Sequence, residues 1–237
     1  MIFLRSLVFL VAQILITATY AMFALATTPL PRLARFRLIA GWCHVMVWLA
    51  DAILGIRYRV VGKPNLPQTP AIILSKHQSA WETFAFQVIF PPHVLVVKRE
   101  LLWIPFFGWG LALTSPIAID RASGPRALKQ IVELGRKRLA QGFWVAIFPE
   151  GTRVDPGIRG RYRLGGARLA VECGAPVVPV AHNAGMLWRR KAFLKQPGTV
   201  TVEIGPVIDP RDHTPESLMA AVEEWIEGRM VVLCPGP

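Results

Sequence analysis

Val145-Ala146-Ile147-Phe148-Pro149-Glu150-Gly151-Thr152-Arg153 runs an apolar stretch straight into a proline, a carboxylate, a glycine, a hydroxyl and a guanidinium. A short apolar run stopped by turn-forming residues reads as a buried strand. Continuously apolar strands belong in sheets covered on both faces. The pattern recurs along the chain. Ala71 to Leu74 ends at His77, Val94 to Val97 ends at Lys98, and Ile117 to Ile119 precedes Asp120 and Arg121. Val177 to Val180 and Val200 to Ile204 read as two more strands. Helices fit between them. Pro125 to Gln141 carries Leu128, Ile131, Val132, Gly135 and Leu139 on one face, and Arg126, Lys129, Glu133, Arg136 and Lys137 on a solvated one. Thr214-Pro215-Glu216-Ser217 supplies an N-cap and a proline at the first position of a last helix. This alternation predicts an α/β fold with a mixed, largely parallel central sheet flanked by helices. The polar residues gather at the carboxyl ends of strands, the edge where open α/β sheets bind ligands.

Composition sets the surroundings. The chain has 237 residues, of which 53% are hydrophobic, with a formal net charge of +12. Its mean hydropathy is +0.40. A basic protein attracts polyanions, and basicity joined to oiliness favours a membrane surface over nucleic acid. Cys43, Cys173 and Cys234 form no CxxC pair, which argues against a disulfide framework or a thiolate zinc site and for a reducing compartment. The five histidines are scattered without metal-ligand spacing, and neither a Walker A pattern nor G-x-G-x-x-G occurs.

Leu7 to Ala26 is nearly all apolar, with Arg5 the only charge before Arg32. Its length suits the hydrocarbon core, which needs about 20 helical residues. A membrane anchor is the leading reading; a cleaved signal peptide, with Arg5 and Ala24-Leu25-Ala26 in its layout, and a buried core helix are the others. Leu38 to Ile56 follows Arg32, Arg35 and Arg37 and carries Trp42, His44, Trp48 and Asp51. Asp51 would be costly at mid-bilayer, so this segment is expected either to lie at the interface or to pack on the globular part. The expected division is residues 1–56 as anchoring helices and 57–237 as an α/β domain.

Two constellations carry chemistry. His77 lies just before a helix expected to start near Ser79, and Glu82, on its first turns, is placed to orient the imidazole as a general base. The plainer alternative is a histidine that packs at a strand end beside a solvated glutamate. Ser79 as nucleophile is a rival, without the G-x-S-x-G elbow. Around the opening motif, Gly151 lets the backbone approach a ligand, and Thr152 and Arg153 can donate to phosphate. Arg121 and the pair Lys98-Arg99 end two other strands. A single arginine is ordinarily a surface charge; cations at three strand ends are harder to dismiss. Arg159, Arg161 and Arg163 lie in the following loop and either grip an anion or only solubilise it.

These stretches resemble the glycerolipid acyltransferase family, in particular the 1-acylglycerol-3-phosphate acyltransferases. His77 to Glu82 is similar to the family's H-x4-D motif, with Glu82 in place of the usual aspartate. Lys98 to Leu101 and Trp103 to Gly110 resemble the stretch leading to the second motif, which ends at Arg121 in Ile119-Asp120-Arg121. Phe148 to Arg153 matches FPEGTR, and Val177 to Val180 resembles the fourth. The resemblance, over roughly residues 61–208, implies a glycerophosphate-acyltransferase-like fold. It implies that His77, oriented by Glu82, deprotonates a glycerol hydroxyl that attacks the thioester of acyl-CoA or acyl-carrier protein, with no acyl-enzyme. Arg121, Glu150, Gly151, Thr152 and Arg153 would hold the phosphate of lysophosphatidic acid, with Lys98 assisting. No cofactor and no metal are implied beyond the acyl donor. The implied partners are membrane lipids rather than nucleic acid, at the inner membrane with the catalytic part on the cytosolic side. An acyltransferase for another lysolipid, such as lyso-ornithine lipid or a lysophospholipid, shares these motifs. A basic membrane-surface protein without catalysis is the non-enzymatic alternative.

Overall fold

A computed structural model describes residues 1–234. Helices α1 (Ile2–Ala26) and α2 (Arg32–Leu54) lead into strand β1 (Ile56–Val61). There follow β2 (Ile72–Ser75), α3 (Trp81–Ile89), β3 (His93–Lys98), α4 (Phe107–Leu113), β4 (Ile117–Ile119), α5 (Pro125–Ala140) and β5 (Trp144–Ile147). The chain continues through α6 (Gly165–Cys173), β6 (Val177–His182), the short α7 (Ala184–Leu187), β7 (Gly198–Ile204) and α8 (Pro215–Leu233).

The strands form one sheet in the order β1-β7-β6-β2-β5-β3-β4. From β6 to β4 every pairing is parallel; β7 is antiparallel to β6, and β1 lies parallel to β7 at the edge. The fold is therefore mixed α/β and largely parallel, in agreement with the pattern of apolar runs. Alternation along the strands sorts the core into two layers. Ile72 and Leu74 face α5, α6 and α8, packing with Ile131, Leu169 and Val222, whereas Ile73 faces α2 and α3 with Met46, Ala50 and Trp81.

Four elements escaped the sequence reading, the one-turn α7 among them. β1 lies on the edge, where Arg57 and Arg59 break its apolar character. α4 is short and glycine-bearing, and α6 follows a polar loop that masks its start. The two N-terminal helices pair as a hairpin, joined by Tyr20 Oη donating to the Leu38 carbonyl at 2.9 Å and Trp42 Nε1 donating to Thr17 Oγ1 at 3.2 Å. Both are long and apolar enough to cross a membrane. They differ in surroundings: α1 leaves Phe3, Leu7, Val11, Ile14 and Phe23 exposed, while α2 puts one face into the core and leaves Leu38 and Trp48 outside. Asp51 is at the surface, paired with Arg57 at 3.4 Å.

His93, at the start of β3, is fully buried; Nδ1 meets the Pro91 carbonyl at 3.0 Å and Nε2 has no partner among the described residues. Burial pushes its imidazole down to about 4. A depressed histidine makes the folded state bind fewer protons than the unfolded one, whose value is about 6.5. Stability is therefore expected to fall as pH drops from about 6.5 towards 4, by about 3 kcal/mol from this group. Thermal melts of the wild type and His93→Gln at pH 7.5 and 4.5 check this. Identical acid shifts in the two proteins would refute it.

Candidate active site

The carboxyl ends of β2, β5, β3, β4 and β6 share one sheet edge because those strands are parallel. His77 leaves β2 there and is held on every side. Its backbone N–H donates to Glu150 Oε2 at 3.0 Å, and its carbonyl accepts from the Val154 N–H at 2.8 Å. Its ring stacks on Phe148, with centroids 4.0 Å apart and planes 17° apart. Nδ1 sits 2.9 Å from Glu82 Oε1. Against an ionised carboxylate the proton belongs on Nδ1, which leaves Nε2 as the free basic nitrogen.

Glu82 occupies the first turn of α3 and is fully buried. Besides the imidazole, its Oε1 accepts from the Gln78 N–H at 2.9 Å and the Ser79 N–H at 2.7 Å. Burial works against ionisation, but the imidazoles of His182 and His77 and the Ser79 N–H outweigh it, and the carboxyl stays below the usual range. His182 is itself depressed, foremost by burial, and its Nε2 donates to the Lys76 carbonyl at 2.9 Å. The Ser79 hydroxyl accepts from the Trp81 N–H at 3.1 Å and makes no bond to the imidazole, so the geometry offers it a capping role. Gly185 packs under Gln78: a Cβ there would lie 2.7 Å from the Gln78 Cβ, so the close approach needs glycine.

The basic side is built on the turn after β5. Gly151 has φ of +68°, a left-handed conformation that glycine adopts without strain. Arg121, half-buried, donates to the Gly151 carbonyl. The Arg163 side chain lies against the same glycine, with Nε 3.2 Å from the position a Cβ would take. Burial first, and then the neighbouring Arg163, lower the Arg121 pKa, while the Glu100 carboxylate works in the opposite direction. Thr152 is exposed, and the Arg153 carbonyl accepts from Arg190 at 2.8 Å. Arg153 also lines a largely apolar cavity of about 290 Å³, together with Ala80, Thr83, Trp42, Phe84 and Phe107.

The structure thus brings His77, Glu82, Arg121, Gly151, Thr152 and Arg153 to one edge. Two expected ligands have partners within the protein. Lys98 is half-exposed and paired at 2.7 Å with Glu100, whose carboxylate also acts on Arg121. Glu150 is buried and its oxygens accept from Lys76, Gly160 and His77; an ionised carboxylate has no proton to give a phosphate, and here it fixes the His77 backbone. Sequence reasoning missed Phe148 as the imidazole's stacking partner and Lys76 as the buried partner of Glu150. No acidic residue close in sequence points to that lysine. No group of three or more metal-ligating side chains occurs among the described residues.

Comparison with known proteins gives consistent results. A family profile described as Acyltransferase matches residues 57–183. The 1-acyl-sn-glycerol-3-phosphate acyltransferase of Pseudomonas aeruginosa is 47% identical over 210 residues, 87% of this chain and 82% of that protein. The protein of the same name from Limnanthes douglasii is 29% identical, across 87% of this chain and 74% of its own. The crystal structure of the 1-acyl-sn-glycerophosphate (LPA) acyltransferase from Thermotoga maritima matches with a TM-score of 0.83, covering 99% of this chain and 96% of that one at 23% identity, a likeness of fold.

Proposed function

This chain belongs to the acyltransferase family, and we propose that it moves a fatty acyl group from acyl-CoA or acyl-carrier protein to the sn-2 hydroxyl of 1-acylglycerol 3-phosphate, giving phosphatidic acid. The observation that carries this reading is the His77 imidazole, oriented by Glu82 and stacked on Phe148, directly beside the Gly151 turn and its guanidinium groups. The names of the relatives at 47% and 29% identity support lysophosphatidate as acceptor.

In this mechanism His77 Nε2 takes the proton of the acceptor hydroxyl as its oxygen attacks the thioester carbonyl. The imidazolium, stabilised by Glu82, returns that proton to the departing thiolate. Ester and free thiol form, and no covalent enzyme intermediate is needed. Arg121 and Arg153 hold the phosphate, Arg163 adds charge nearby, and the apolar cavity takes acyl chain. The exposed apolar face of α1 anchors the enzyme in the inner membrane with its site on the cytosolic side. The exposed Arg32 and Arg37 meet anionic headgroups, at about 1 kcal/mol each near the surface, while Arg35 is turned to the Leu113 carbonyl.

The test is a thiol-release assay on the full chain in mixed micelles. One acyl-CoA is offered with lysophosphatidate, lyso-ornithine lipid or lysophosphatidylcholine. Lysophosphatidate should be acylated fastest. Arg153→Ala should raise its KM by about 10- to 100-fold with a smaller change in kcat, the effect of one charge-assisted phosphate contact. Preference for another lysolipid would move the acceptor assignment. An unchanged KM would remove Arg153 from the phosphate site, and binding to vesicles without thiol release would leave a non-catalytic surface protein.

A further inference from the structure

We propose that Lys76 is a positioning residue, whose buried ammonium, clamped between Glu150 and Glu227, makes helix α8 part of the apparatus that holds His77. The inference rests on the acyltransferase reading of His77.

Lys76 is 1% exposed, and its Nζ has three acceptors: Glu150 Oε1 at 2.8 Å, Glu227 Oε1 at 2.8 Å and the Ile158 carbonyl at 2.9 Å. These satisfy all three ammonium protons. Lys76 directly precedes His77 just beyond β2, and the two side chains leave in different directions. The imidazole goes to the Phe148 and Glu82 side; the ammonium goes to α8. Glu150 joins the two, because its Oε1 takes the ammonium and its Oε2 takes the His77 N–H.

The charges explain why the lysine governs this link. One ammonium stands between two carboxylates. The excess negative charge is eased by neutral donors, Tyr162 Oη to Glu227 at 2.7 Å and the Gly160 N–H to Glu150 at 3.1 Å, and by the Arg159 guanidinium, which pairs with Glu223 one turn before Glu227 at 2.8 Å. Burial, and then Glu227, raise the Tyr162 pKa, so the phenol remains a donor. Without the ammonium, Glu150 and Glu227 face each other across the space it fills, beside a cavity of about 230 Å³ lined by Lys76, Ile158 and Glu227. Like charges so placed move apart or take up a proton, and either response withdraws Glu150 from the His77 N–H. A packed apolar cluster would serve stability as well as a buried ion triad does. What the triad adds is a fixed position for one backbone N–H, that of the imidazole-bearing residue.

Four variants of the full chain in detergent micelles test this: Lys76→Met, Glu227→Gln, Lys76→Met/Glu227→Gln and Glu150→Gln. Each is measured for kcat and KM with lysophosphatidate, for the ¹⁵N signals of His77, and for melting temperature. Lys76→Met should lower kcat by about 10- to 100-fold with KM within about three-fold, and should shift the His77 Nδ1 signal. Glu227→Gln should cost less than about five-fold, because its new amide oxygen still accepts from the ammonium and from Tyr162. The double variant, free of the second carboxylate, should recover most of the lost kcat and the wild-type His77 signal. Glu150→Gln turns an amide N–H₂ against the His77 N–H and should lower kcat as Lys76→Met does. That variant decides the matter where Lys76→Met does not fold.

A Lys76→Met or Glu150→Gln protein with normal kcat and His77 signals, changed only in melting temperature, would overturn the proposal, as would a double variant no better than the single. If the wild type acylates no lysolipid while the His77 signal still shifts in Lys76→Met and returns in the double variant, the acyltransfer reading fails and the positioning role stands.

Discussion

His77→Ala is expected to lower kcat for acyl transfer by about 10²- to 10⁴-fold, the range for a positioned general base, with little loss of fold. The fold should survive because the alanine leaves few groups stranded. Glu82 Oε1 keeps the Gln78 and Ser79 N–H groups, and the residue-77 backbone keeps its bonds to Glu150 and Val154. Phe148 loses a stacking partner but remains packed on Phe86. The residual rate comes from holding acceptor and thioester together, which needs no base. Saturating-substrate turnover measures the effect, and vesicle sedimentation shows whether α1 and α2 still dock the chain. Near-normal turnover would remove His77 from the chemistry. Partial recovery on adding free imidazole would show that a base, rather than a packed ring, is what the variant lacks.

The sequence made this site legible because its chemistry is local. His77 and Glu82 are five positions apart, and the Phe148 to Arg153 segment is contiguous, so both motifs can be read without the fold. The parallel sheet was legible for a related reason: apolar runs such as Ile72 to Leu74 mark strands covered on both faces. Illegible were the features set by distant pairing. β1 is flanked by only one strand, so its arginines can point to water and its apolar signal is weak. The reversal of β7 against β6 depends on how the connecting segment folds back. Glu150 shows the limit within the site itself. As part of a phosphate-binding motif it reads as a ligand. Only the approach of Lys76 and the His77 N–H, more than seventy positions away in the chain, shows that its oxygens are occupied.

Glu82→Gln is expected to lower kcat by about 10²- to 10³-fold with KM nearly unchanged, because it removes charge while preserving shape. In the proposed mechanism the imidazole gains a proton only in the transition state, so a neighbouring carboxylate matters most there and little in the bound ground state. The amide oxygen can still accept from His77 Nδ1 and from the Gln78 and Ser79 N–H groups, but the amide nitrogen then occupies the position of Oε2, which has no partner among the described residues. Glu82→Ala goes further. It strands two backbone N–H groups and Nδ1 in a dry site and should destabilise by about 3 kcal/mol or more. Glu82→Asp keeps the charge but shortens the reach by one methylene, so its kcat should fall only about ten-fold, well above that of the amide variant. The pH dependence separates charge from shape. A carboxyl held below its unfolded value, about 4.3, stabilises the fold at pH above that value, and the contribution fades as pH falls through the folded value. The melting-temperature gap between wild type and Glu82→Gln should therefore be widest near pH 7 and close below about pH 4. A gap that persists in acid would mean that the amide disturbs packing alone. A kcat for Glu82→Gln equal to that of the wild type would mean that the imidazole needs no anionic neighbour to take the hydroxyl proton.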